Sequence, residues 1–275
     1  MIDSNRSQGL RRLGMDAISG LNTPRAAHRH RRRRLTGTAL LLWGCALASA
    51  AWGQVSMPGT RVVYPGKQAE VVVPLKNVSA SPVLVQAWVS DGDADQRPEN
   101  SGAPFVLAPP ILRLSPNKDA NLRIRQIPAK APADTKEHLY WLSILAVPPS
   151  REESENKLEL GVRSRYKLLF RPVGLPPPPE NRMEGVTLSV RRGQGNASLV
   201  FQNGTAYYLN LGRVVIVAGG AERELENPFA PPFGEASIAL PDDIDAGVLE
   251  VRFSWLDDNG TLHPETRQVE GYSLP

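Results

Sequence analysis

Arg163, Arg165 and Lys167 alternate along one short stretch, just ahead of the apolar run Leu168-Leu169-Phe170 and Pro172. Upstream, Leu158, Leu160 and Val162 alternate with Glu159 and Gly161. Successive side chains of an extended strand point to opposite faces, so the three aliphatics share one face. Cations on such a strand can pin a carboxylate, because charge-assisted hydrogen bonds are about twice as strong as neutral ones. An aliphatic row at one end suits a strand that lends its edge to another chain. The same pattern also fits an ordinary sandwich strand with a polar outer face, and periodicity alone does not choose between the two.

Other chemistry is sparse. Beyond residue 50 the histidines are His138 and His263, and neither has zinc-type spacing to cysteine or to a second histidine. No Gly-x-Ser-x-Gly, phosphate-binding glycine loop or paired-cysteine motif occurs. These absences point away from a hydrolase and give no catalytic residue, no metal site and no cofactor. Asp257-Asp258-Asn259-Gly260 reads as a hairpin turn rather than a calcium loop.

The elements that must position the cations are strands. Val62–Tyr64, Glu70–Leu75, Val83–Val89, Phe105–Leu107, Asn121–Ile127 and Leu139–Val147 precede the opening stretch, separated by Pro-Gly, Asn and Ser-Pro punctuation. This spacing predicts an immunoglobulin-like sandwich over 54–173. Pro176 to Pro179 form a stiff extended spacer, so 174–180 reads as a linker. A second sandwich follows over 181–275, with strands at 186–191, 197–202, 207–211, 214–218, 236–239 and 248–255. The fold class is therefore all-β: two immunoglobulin-like β-sandwich domains joined at an angle, with a cleft between them.

Residues 1–50 differ in kind. Arg31 to Arg34 precede an apolar run from Leu35 to Ala51, and Ala48-Ser49-Ala50 supplies a small-residue cleavage site. These features predict a secretory signal peptide cut after residue 50 or 53, with Met15 as an alternative start. The leader holds 9 of the 32 Lys and Arg residues and 2 of the 28 Asp and Glu residues. The remainder has 23 basic and 26 acidic residues, a net of −3, so the overall charge of +4 does not imply a nucleic-acid surface. Cys45, the single cysteine, would leave with the leader. No stable membrane insertion is expected after cleavage.

Several segments resemble a known family in the right order. They are Thr60-Arg61-Val62-Val63-Tyr64, Gln86-Ala87-Trp88, and Pro109-Pro110-Ile111-Leu112-Arg113-Leu114-Ser115-Pro116. Glu137-His138-Leu139-Tyr140, Tyr166-Lys167-Leu168-Leu169-Phe170-Arg171-Pro172 and Asn203-Gly204-Thr205-Ala206-Tyr207-Tyr208 complete the set. The family is the periplasmic pilus (fimbrial) chaperones of the chaperone–usher pathway. Gly204 and Ala206 replace prolines of its pattern, and Thr135-Lys136 stands where Asp-Arg is usual.

The resemblance implies that Arg61 and Lys167 hold the C-terminal carboxylate of a pilus subunit in the cleft. It implies that Leu158, Leu160 and Val162 complete the subunit's unfinished sandwich. It also implies that Glu137, Arg171 and Asp258 form an inter-domain ion-pair group, with Asp257 as the alternative to Asp258. The partners implied are pilus or fimbrial subunits and an outer-membrane usher, and the location is the periplasm. An exposed apolar edge would let the free chaperone cap itself as a dimer. A secreted two-domain adhesion or carbohydrate-binding module is the alternative; Trp88, Trp141 and Trp255, however, sit in strand-like runs and read as core.

Overall fold

The computed structural model describes residues 54–92, 96–149, 160–192, 197–218, 220–241 and 248–270. The predicted leader and both cleavage positions lie outside these residues, as does Leu158. None of the described helices is long and apolar enough to cross a membrane.

Nearly all regular structure is strand. The first sandwich is built from β1 (Val55–Ser56), β2 (Arg61–Pro65), β3 (Glu70–Asn77), β4 (Val83–Ser90), β5 (Phe105–Ala108), β6 (Ile111–Leu114), β7 (Asp119–Gln126), β8 (His138–Val147) and β9 (Val162–Arg171). One sheet has the order β1-β3-β7-β5 and the other β2-β9-β8-β4-β6. The chain thus changes sheets between β1 and β2. Alternation drives the layering: in β4, Val83, Val85, Ala87 and Val89 enter the core, while Gln86 and Trp88 face outward. Tyr64, Phe105, Tyr140 and Phe170 form an aromatic cluster inside, with ring centroids 5.1–5.9 Å apart.

The second sandwich comprises β10 (Val186–Arg192), β11 (Ala197–Asn203), β12 (Leu209–Ala218), β13 (Ala221–Leu225), β14 (Phe229–Ala230), β15 (Glu235–Ala239), β16 (Val248–Leu256) and β17 (Leu262–Glu270). Its sheets run β10-β11-β15 and β13-β12-β16-β17, with β14 also paired to β12. It has its own core, around Leu199, Phe201, Val214, Ile216, Leu249, Val251 and Trp255.

Two predicted strands, at 207–211 and 214–218, are one strand, β12, interrupted by a bulge between Leu211 and Val214. Gly212 sits in that bulge, where an added Cβ would lie 2.5 Å from Ser254 Oγ, so no larger residue fits without movement. In the opening stretch the described strand begins at Val162, with Leu160 and Gly161 ahead of it, and 157–159 lie outside the described residues. Val162 pairs with Ala146 near the end of β8, which Pro148 and Pro149 follow. Pro148 and Pro149 have no N–H to donate to a ladder.

A buried asparagine organises a turn in each domain. Asn77 and Asn203 are both fully buried. Asn203 Nδ2 donates to the carbonyls of Tyr207 and Pro231, while its Oδ1 accepts from Thr205 N–H and Oγ1–H. Asn77 does the same work through Ser81, Leu114 and Ser79. Gly204, standing where proline was expected, donates its N–H to Gly185 O at 2.9 Å, a bond that proline could not make.

Candidate functional site: cations beside an open strand edge

β2 and β9 run parallel, and Arg61 is level with Lys167 in their register. Level residues of neighbouring strands project from the same face. Both therefore point away from the core that Val62, Tyr64, Leu168 and Phe170 enter. Pairing between β2 and β9 starts at that level and continues only towards Arg171. From Val162 to Tyr166, β9 pairs with β8 on one side, and among the described residues nothing pairs with it on the other. An open edge of five residues thus ends where the two cations stand.

The second domain closes over Lys167. Its Nζ donates to Asn210 Oδ1 at 2.5 Å and lies 4.0 Å from the centre of the Phe229 ring. Burial, with the nearby Arg61 charge, lowers the Lys167 pKa from its usual 10.5 to about 8. The Arg61 pKa is also lowered, chiefly by burial, against the attraction of Asp258, Asp257 and Glu137. Its Nε is buried and has no hydrogen-bond partner. Among the described residues neither cation has a carboxylate in ion-pair contact. Two half-buried positive charges close together, Lys167 held by an amide and a ring face and neither in ion-pair contact with a carboxylate among the described residues, are a site that gains by taking up an anion.

A second group lies at the far end of β9. Arg171 donates through Nε to Glu137 Oε1 at 2.8 Å, and its two terminal nitrogens donate to the two oxygens of Asp258 at 2.7 and 2.8 Å. Arg182 joins Asp258 at 2.9 Å. Glu137, 2% exposed, accepts from Tyr208 N–H at 2.8 Å with its other oxygen, and its own N–H donates to Ala206 O. Burial raises the Glu137 pKa against the pull of Arg171. Burial would also raise that of Asp258, but the hydrogen bonds and charges of Arg171 and Arg182 outweigh it and lower the pKa. Asp257, the alternative read from sequence, is occupied elsewhere. It accepts from Asn259 and Thr261 N–H and contacts His263, holding the turn between β16 and β17. At the tip of that turn, Gly260 has φ +83° and approaches Thr60 so closely that a Cβ would lie 2.9 Å from its Oγ1.

Of the aliphatic row, Leu160 precedes β9 with 62% of its surface exposed, and Val162 opens the strand at 39%. Their parity places Val162, Ser164, Tyr166 and Leu168 on the inward face. Arg163 and Arg165 point outward with Lys167, and each covers a tryptophan: Arg163 lies 4.7 Å from the Trp88 ring centre and Arg165 4.4 Å from that of Trp141. These two tryptophans are therefore platforms on the outer face rather than core, whereas Trp255 is in the second core.

Sequence reasoning did not single out Asn210, Phe229 or Arg182. Asn210 carried a usable signal, being one polar residue between Leu209 and Leu211, and it is 5% exposed. Phe229 and Arg182 lie far from Lys167 and Asp258 in sequence and carry no periodic signal. Among the described residues no three His, Cys, Asp or Glu side chains converge as a metal site.

Comparison with known proteins supplies the family. Residues 54–176 match "Pili and flagellar-assembly chaperone, PapD N-terminal domain", and residues 182–267 match "Pili assembly chaperone PapD, C-terminal domain". The chain is 34% identical over 242 residues to Chaperone protein FimB/FhaD of Bordetella pertussis, covering 85% of this chain and 96% of that protein. It is 31% identical over 235 residues to Chaperone protein FimC of Escherichia coli K12, covering 84% and 90%. Among solved structures, the CupB2 chaperone of Pseudomonas aeruginosa superposes with a TM-score of 0.63 at 31% identity, covering 78% of this chain and all of that one. The SafB chaperone, solved in complex with SafA pilin of Salmonella enterica, aligns with a TM-score of 0.63 at 29% identity, covering 80% and 98%. The two sandwiches, their order and these matches together place the chain in the family of pilus assembly chaperones.

Proposed function

We propose that this protein captures pilus subunits in the periplasm by adding its own strand to them, and passes them to an outer-membrane usher. The observation that carries the reading is the pair Arg61 and Lys167, level on parallel strands and without a carboxylate, at the end of the open edge Val162–Tyr166. A subunit's terminal carboxylate bound there would set the register of whatever strand lies along the edge. That strand would run parallel to β9 and in line with β2, because it must end where β2 begins. Pinning the end matters, since a slip of one residue would turn every side chain to the wrong face.

Leu158, Leu160 and Val162 would fill the apolar groove of an incomplete subunit. Each aliphatic side chain buried this way contributes about 1.5–3 kcal/mol. Glu137, Arg171, Asp258 and Arg182 would fix the angle at which the second domain presents Asn210 and Phe229 to the anchor. In this reading residues 1–50 are an export leader, 54–173 the strand-donating domain, 174–180 the linker and 181–275 the second domain. Two free molecules could cap each other's open edges as a dimer.

The test is periplasmic co-expression with a neighbouring pilus subunit, followed by affinity capture of wild type, Lys167→Ala and Arg61→Ala. A soluble complex with wild type that both variants lose, while keeping their thermal melts, supports the reading. Undiminished capture by either variant would sink it.

A further inference from the structure

The cations on the outer face of β9 fall into two classes. Arg171, towards the second domain, is paired with two carboxylates. Arg163, beside the open edge, has none among the described residues. It is held by neutral groups instead: a terminal nitrogen donates to Ser143 Oγ at 3.0 Å, and the guanidinium lies over the Trp88 ring, while Nε is buried without a hydrogen-bond partner. Lys167 is held in the same manner, by Asn210 and Phe229. Both are placed by groups that leave their charge uncompensated, and both border the edge that pairs with nothing.

We infer that Arg163 reads an acidic side chain on the strand that is captured, so that the protein prefers clients with Asp or Glu at one outward-facing position shortly before the C-terminus. This rests on the proposed capture of a strand along β9. A strand whose carboxylate sits at Arg61 and Lys167 places its outward side chain level with Arg163 two or three residues before its last. Side chains level on paired strands are in contact range, and opposite charges there are favourable whereas like charges are not. A guanidinium already stacked on Trp88 and tied to Ser143 loses little freedom on pairing, and its planar fork suits a carboxylate. The subunit's terminal carboxylate gives affinity to every client; Arg163 would distinguish among clients.

The experiment uses the purified full-length mature protein and short synthetic peptides of alternating apolar and neutral polar residues with a free C-terminal carboxylate. Glu, Gln and Lys are placed in turn at each of the last several positions, and every peptide is also made as the C-terminal amide. Affinities are read by fluorescence anisotropy for wild type, Arg163→Gln and Arg163→Glu. The expected result is a single outward position at which Glu binds about tenfold more tightly than Lys, consistent with a difference of about 1.4 kcal/mol. This preference disappears in Arg163→Gln and reverses in Arg163→Glu, while the preference for free acid over amide persists in all three. Equal binding of Glu, Gln and Lys at every position, or a Glu preference that survives Arg163→Glu, overturns the inference while the acid-over-amide preference stands. Loss of the acid-over-amide preference in the wild type instead overturns the capture reading on which the inference rests.

Discussion

Lys167 makes the anchor responsive to pH. Its pKa in the free protein is about 8, lowered by burial and by Arg61. A bound carboxylate favours the charged form and raises that pKa, so above pH 8 capture must take up a proton. Affinity is then flat below about pH 8 and falls above it, by up to about tenfold per pH unit. Lys167→Arg keeps its charge over that range and should bind with a flat profile; equal slopes in the two proteins would contradict the assignment. The sign for folding is the reverse. The folded state binds fewer protons than the unfolded state between about pH 8 and the usual lysine value of 10.5, so the cost of holding Lys167 charged disappears as pH rises through that window. At this scale the sequence was informative about charge and poor about company. Arg61, Lys167, Glu137, Arg171 and Asp258 stand out by type and motif. Asn210, Phe229 and Arg182 complete their surroundings through contacts between domains, which no local pattern records.

The open edge is a property of strands rather than of side chains. It exists because β2 is short and begins only at Arg61, the chain having switched sheets after β1. Period-2 alternation showed β9 and its two faces, but whether an edge is open depends on where a strand distant in sequence begins. Alternation likewise continues back to Leu158, whereas β9 as described begins at Val162, level with Ala146. The exposure of Leu160 and Val162 leads to a clear separation of stability from function. Changing Leu158, Leu160 and Val162 together to serine should lower the melting temperature by no more than about 3–6 °C, because exposed substitutions cost within about 0.5 kcal/mol each and each kcal/mol shifts the melt by about 2–4 °C in a protein of this size. The co-expressed subunit should nevertheless aggregate. A large drop in melting temperature, or an unchanged yield of soluble subunit, would count against the row as the donated face.

Across the whole molecule the two sandwiches have separate cores, and charge joins them: Arg171 bridges Glu137 of the first domain and Asp258 of the second. Removing one partner strands a buried charge. Arg171→Ala should therefore destabilise by about 3–5 kcal/mol, and small-angle scattering should show a broader distribution of inter-domain distances. A variant with Glu137→Gln added should recover part of the stability without recovering the narrow distribution. If Arg171→Ala alone scatters as wild type does, the network does not set the domain angle. The two sandwiches were legible from strand spacing, but their mutual orientation was not, because it depends on hydrogen bonds such as Tyr208 N–H to Glu137. The most direct test of the account is amide hydrogen exchange along β9 in the free protein and in its complex with a captured subunit. Alternate amides between Val162 and Tyr166, those facing the open edge, should exchange at least about tenfold more slowly in the complex, as expected when a strand pairs with them. Unchanged exchange there, in a complex that demonstrably forms, would mean that the subunit is held elsewhere.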